Sequence, residues 1–223
     1  MRIALLLVGM CLVGCRSAAQ PAPASGGAGV VDLRPRVLGD FERVEARLGS
    51  EVVRSDTTIP ESPPLRLGPI YRRPDPELPG VPLTVAYATQ RRPPSDSVVH
   101  VTYVWGGGVW PEVASGLPGW SRQPPERLGA FDDRYEAVRT LIAEALGAPA
   151  ESSALSCAPC TLSPFGAAIW KRFDMWESEE IQVSMALEFG VPLIARPRVG
   201  YAQRIQVRVY HLPPVRRPQN PPR

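Results

Sequence analysis

The chain has 223 residues, of which 44% are hydrophobic and 27 are proline, and its formal net charge is +3. A charge this balanced excludes the basic footprint of a nucleic-acid binder, and the hydrophobic content suffices for one modest core or two small ones. The prolines far exceed the usual share of about 5% and gather outside the periodic segments, so the chain should be rich in loops and tails.

Residues 1–15 read MRIALLLVGMCLVGC. Arg2 supplies positive charge, and an apolar run covers residues 3–13. That run is too short to span a bilayer as a helix, which takes about 20 residues. It fits the apolar core of a secretory signal, which is about 7–15 residues long. The run closes on Leu12-Val13-Gly14-Cys15, with small residues ahead of a cysteine.

Those four residues resemble the lipobox of bacterial lipoproteins at each of its positions. The resemblance implies cleavage after Gly14, a thioether-linked diacylglycerol on Cys15, and usually an N-acyl chain as well. Several chains anchor far better than one, since a single myristoyl group binds membranes only marginally. Arg16 follows the cysteine, and the absence of Asp there implies transfer to the outer membrane, with the domain in the periplasm. Once the signal is removed, 24 basic and 22 acidic side chains remain.

Residues 15–35 are dominated by Ala, Pro, Gly and Ser and read as a lipidated flexible tether. The folded part should cover residues 36–211. A short helix is predicted over 36–48, with Leu38, Phe41, Val44 and Leu48 on one face, Asp40 as a cap and Gly49 at its end. A proline-punctuated region follows over 59–82, with a short strand near 67–72. Two strands at 81–89 and 97–105 alternate cleanly, with Val81, Leu83, Val85 and Tyr87 inward in the first. In the second, Val99, Val101, Tyr103 and Trp105 point inward and His100 points the other way beside Thr102.

Residues 106–131 read as a long loop opened by Gly106-Gly107-Gly108. The glycines lack the Lys and the strand–glycine–helix order of a phosphate loop. Trp110 and Trp120 in this loop are candidates for a partner-facing aromatic patch; the competing reading folds them back over the edge of the core. The strongest helix is predicted over 134–146, with Asp133 and Glu136 as a capping-box-like start. Its buried stripe would be Tyr135, Val138, Leu141, Ile142 and Ala145, its solvated face Glu136, Arg139 and Glu144, and Gly147 its end. Three more strands complete the expectation. They are 166–173 (Ile169 and Phe173 inward), 180–189 (Ile181, Val183, Met185, Leu187 and Phe189 inward) and 203–211 (Ile205, Val207 and Val209 inward). Arg204, Gln206, Arg208 and Tyr210 would face water from the last strand. The tail at 212–223 is proline-rich and basic.

The predicted fold class is α+β: an antiparallel sheet with two short amphipathic helices on one face. The two helices each end in Leu-Gly (Leu48-Gly49 and Leu146-Gly147) and each leads into strands. This suggests a tandem α-β-β-β repeat with halves 36–105 and 132–211. The pattern resembles the modules of the barrel-assembly accessory lipoproteins (SmpA/OmlA-like), and it looks like the tandem module of the secreted β-lactamase inhibitor protein. Those families open each module with two helices, whereas this sequence has one per half. The alternative is one continuous sheet.

One motif carries chemistry: Cys157-Ala158-Pro159-Cys160. In an oxidising compartment a C-x-x-C pair reads first as a structural disulfide. A redox-active pair is the second reading, but the residues that follow lead into a strand rather than a helix. A zinc site would need two further ligands, and His100 and His211 are the only histidines. Glu177, Glu179 and Glu180 read as turn acids. The expectation is a non-catalytic envelope lipoprotein without metal or cofactor. Cys15 would hold it to a lipid bilayer, and its partner would be an envelope protein or cell-wall component rather than nucleic acid. The alternative is a periplasmic thiol-disulfide oxidoreductase using the C-x-x-C pair.

Overall fold

The computed structural model describes residues 31–54, 65–90, 96–109, 123–157, 167–192 and 201–212. The elements among them, in chain order, begin with helix α1 (Leu38–Arg47) and strands β1 (Glu51–Arg54), β2 (Leu65–Arg73), β3 (Leu83–Gln90) and β4 (Val98–Val109). Helix α2 (Leu128–Leu146) then leads into β5 (Glu151–Cys157), β6 (Ala167–Glu177), β7 (Ile181–Pro192) and β8 (Tyr201–His211). The class is α+β, and all eight strands join one antiparallel sheet in the order β1-β2-β3-β4-β8-β7-β6-β5. A helix followed by a four-strand meander thus occurs twice, and the two meanders meet through their last strands, β4 and β8.

Period-two alternation decides which side of this sheet is dry. One cross-strand row runs Val85, Tyr103, Val207, Met185 and Asp174, all buried. Both helices pack on that side. Phe41 of α1 lies 4.3 Å from Tyr87 of β3, and Phe131 of α2 meets Phe189 of β7 edge-on at 5.1 Å. The apolar residues form one core that includes Trp105, Trp176, Tyr135 and Ile142. Each large side chain so buried contributes about 1.5–3 kcal/mol. Residues 31–35, read from composition as tether, lie against the same side. Val31 and Leu33 pack on the core, and the Asp32 amide donates to the Tyr103 hydroxyl at 2.9 Å.

Buried charge ties the helices to the sheet. In the first half Glu45 of α1 accepts from Arg73 of β2 and from the Tyr87 hydroxyl. In the second half Arg139 of α2 pairs with Asp174 of β6 at 3.2 Å, and the Tyr135 hydroxyl donates to the same carboxylate at 2.7 Å. A third cluster crosses between the halves. Asp75, beyond β2, accepts from the indole of Trp105 and pairs with Arg134 of α2 at 2.7 Å.

Several expectations change. β1 and β5 were not anticipated: both are edge strands whose residues are mostly exposed, so neither shows an inward apolar set. The triple glycine is not the start of a loop. Gly106, Gly107 and Gly108 extend β4 along Arg204, Gln203 and Ala202 of β8. Gly106 has φ +76°, and a Cβ there would lie 2.2 Å from the Gln203 carbonyl oxygen, so the close strand approach demands glycine. Helix α2 is not short. It has 19 residues and begins at Leu128, where a turn over Pro125–Arg127 leads the chain into it, so Asp133 lies inside the helix rather than capping it. Asp40 falls in the first turn of α1, whose N-cap is Val37. Ile169 and Phe173 are inverted from expectation: they pair with Gly190 and Ala186 on the uncovered face, while Ala168, Asp174 and Trp176 are buried on the other. Arg139 turns from the solvated face to reach buried Asp174, while Glu136 keeps a half-exposed side chain and accepts from Arg172.

Candidate functional site

The side of the sheet opposite the helices is packed against no other described element. Its residues follow from register. One row reads Ala88, His100, Tyr210, Gln182 and Glu177. The next reads Ile70, Ala86, Thr102, Arg208, Ser184 and Met175. A third reads Arg72, Thr84, Val104, Gln206, Ala186 and Phe173. The fourth reads Gly106, Arg204, Glu188 and Lys171. Arg208 is exposed and Lys171 and Glu177 are exposed, while most of the rest are half-buried. The face is therefore neither a greasy patch nor an ordinary charged surface.

Charge is distributed unevenly over it. Arg204 donates to Glu188 at 2.7 Å, and Lys171 stands 3.8 Å from the same carboxylate. Arg208 has no carboxylate partner among the described residues and donates only to the Gln206 side-chain oxygen. Arg72 likewise makes no ion pair among the described residues, and its Nε is buried without a hydrogen-bond partner among them. The imidazole of His100 stacks on Tyr210 with centroids 4.2 Å apart and planes within 4°, and its Nε2 lies 3.1 Å from the Thr102 hydroxyl. Burial first, then the Arg208 charge, push the imidazole down to about 4, so it is neutral near pH 7. The stack supplies a flat aromatic platform beside an unpaired guanidinium.

A cleft of about 410 Å³ opens at the end of β2, lined by Gly49, Glu51, Arg72, Arg73, Asp75 and Val81 among others. Arg73 and Asp75 are already committed to Glu45 and Arg134. That leaves Arg72 and the exposed Glu51 to face anything that enters.

The two free edges of the sheet are blunted. β1 has four residues and a register shift between Val52 and Arg54, and β5 shifts between Ser153 and Ser156. Short, bulged edges resist strand addition by a second chain.

Several expected site residues, Cys15, Trp110, Trp120 and Cys160, lie outside the described residues. Cys157 ends β5, half-buried, and is disulfide-bonded to a partner outside the described residues. It stands on a strand, not at the helix N-terminus that depresses a reactive thiol's pKa. His100 and His211 come from neighbouring regions of β4 and β8, the Asp32 carboxylate lies near enough to His211 to act on its charge, and no cluster among the described residues could hold a metal ion. Nor is any helix among them long and apolar enough to cross a membrane. The residues that sequence reasoning missed are Arg72, whose position depends on unforeseen pairing, and the buried carboxylates Glu45, Asp75 and Asp174. Arg208 and Tyr210 were legible from the alternation of β8. No family model, curated protein or solved structure matches the chain.

Proposed function

We propose that this protein is a lipid-anchored binding module of the cell envelope, without catalytic activity, that engages an envelope protein through the open face of its sheet. The single observation that carries the reading is that face. The face is broad and half-exposed, and two guanidiniums on it lack carboxylate partners among the described residues, while the opposite side is covered by two helices and residues 31–36. The lipobox-like Leu12-Val13-Gly14-Cys15 supports the anchor. From Cys15 to Val31 the chain can reach at most about 55 Å, so the domain would work close to the bilayer surface. The helix-and-meander order, repeated along the chain, fits a tandem module of the kind found in accessory envelope lipoproteins.

The test is made in bacterial cells with the full chain. Cys15→Ser should abolish metabolic labelling by a fatty acid and release the protein from the membrane fraction. A photo-crosslinking residue at Gln206 on the open face should yield a discrete adduct with an envelope protein, whereas one at exposed Glu144 of α2 should not. A labelled Cys15→Ser chain would refute the anchor. Equal adducts at both positions, or none at Gln206, would refute the binding face.

A further inference from the structure

On the open face short side chains lie between longer, charged ones, a shallow trough defined by side-chain length. Its floor is Thr84 and Ala86 of β3 with Thr102 and Val104 of β4, small or uncharged and half-buried. One wall is β2, carrying Ile70 and Arg72; the other is β8, carrying Gln206, Arg208 and Tyr210. Each wall contributes one guanidinium without a carboxylate partner among the described residues. The nearest candidates are spent or elsewhere: Glu188 is held by Arg204 and Lys171, and Glu177 sits two strands beyond β8. Glu51 stands opposite Arg72 in register and makes no ion pair with it among the described residues. Three interstrand steps of about 4.8 Å and a two-residue offset separate the two guanidinium-bearing positions by about 16 Å.

Resting on the binding-face reading above, we infer that this trough receives an acidic segment of the partner protein. Carboxylates on that segment would meet Arg72 on one wall and Arg208 on the other. An extended chain covers about 16 Å in about five residues, so two carboxylates that far apart would engage both arginines. Arg–carboxylate pairing here is charge-assisted and two-pronged. Because Arg208 is exposed, binding weakens as salt rises. The His100–Tyr210 stack stays uncharged and closes one end of the trough with apolar surface.

The experiment uses the full chain carrying Cys15→Ser, and the probe is a capped decapeptide alternating Glu and Ala. Amide NMR should show perturbations at Thr84, Ala86, Thr102 and Val104, and the double variant Arg72→Gln/Arg208→Gln should bind at least tenfold more weakly with an unchanged melting temperature. The same peptide with Gln in place of Glu should leave those amides unmoved. Equal binding by the Gln peptide, perturbations on the helix-covered side, or undiminished binding by the double variant would each overturn the inference, as would a second copy of the chain occupying the face in sedimentation. The Gln206 crosslink separates this inference from the broader reading. An adduct whose mapped contact is basic or uncharged overturns the acidic segment alone, while no adduct at all overturns the binding face.

Discussion

Replacing Arg134 with Met tests whether the two halves of the sheet are held together by buried charge. Arg134 and Asp75 are each 2% exposed at the side chain and lie 2.7 Å apart. The Arg134 guanidinium also sits 5.7 Å from the centroid of Trp105, whose indole donates to Asp75. Removing the arginine leaves a buried carboxylate with one indole and one backbone donor, the Glu77 amide at 2.9 Å. Breaking a buried pair this way costs about 3–5 kcal/mol. With a urea slope of about 2 kcal/mol/M, the midpoint should fall by about 1.5–2.5 M. Asp75→Leu alone should cost somewhat less, because Arg134 keeps Glu77, which is 62% exposed and draws some of its charge to solvent. The double variant Arg134→Met/Asp75→Leu removes both charges and strands the Trp105 N–H, worth about 1–3 kcal/mol, together with the part-buried Glu77 amide. It should therefore be more stable than Arg134→Met, with a coupling energy of about 2 kcal/mol or more. Urea unfolding followed by tryptophan fluorescence measures all four species. A double variant destabilised by the full sum of the two single losses would refute the reasoning, since the carboxylate and guanidinium would then act independently.

Gly106→Ala should destabilise by about 3 kcal/mol or more in thermal melts, because its φ is +76° and a Cβ would meet the Gln203 carbonyl oxygen. Gly129→Ala, in the first turn of α2 with open space around the new methyl, should instead stabilise by about 0.5–1 kcal/mol. The folded-state pKa of His100 is depressed, so unfolded chains bind its proton at higher pH than folded ones. The protein should lose stability as pH falls from about 6.5 to about 4, by about 1 kcal/mol after discounting for its partial exposure, and His100→Gln should remove that part of the acid sensitivity in urea titrations at both pH values. Cys157 should resist iodoacetamide until a reductant is added, read by mass of the alkylated peptide; rapid labelling without reductant would favour thiol chemistry over a structural bond.

The strands that the sequence revealed are those whose alternation is enforced by burial on one side. β3, β7 and β8 each present an unbroken inward set, such as Val183, Met185, Leu187 and Phe189. The strands it hid obey other constraints. β5 reads ESSALSC and lies at an edge, so almost no residue in it is selected for burial. β6 misled because its apolar Ile169 and Phe173 lie on the open face, while a charged residue, Asp174, occupies the core side, where Arg139 and Tyr135 of α2 engage one of its oxygens. Periodicity cannot anticipate a buried carboxylate whose partners come from another element. The same blindness concealed half of the candidate site: Arg208 follows from the pattern of β8, but Arg72 gains its meaning only when β2 is placed three strands away.

The repeat was faint in sequence for a related reason. Both halves pin their helix to the second strand of the following meander with a buried ion pair and a tyrosine hydroxyl. The polarity is opposite, however. In the first half the carboxylate, Glu45, is on the helix, the arginine, Arg73, is on the strand, and the tyrosine, Tyr87, belongs to the sheet. In the second half the arginine, Arg139, and Tyr135 are on the helix and the carboxylate, Asp174, is on the strand. Positions with the same job therefore hold opposite charges, and a comparison of residue types scores them as mismatches. The reversal also has a physical consequence. If the second half's helix came to lie over the first half's strands, Arg139 would be brought towards Arg73, and Glu45 over the second half's strands would be brought towards Asp174. Two like-charge pairs in a dry interior cost several kcal/mol each. Each helix is thereby held to its own meander, and the eight strands keep one order in which β4 and β8 meet and Arg208 stands at the centre of the open face.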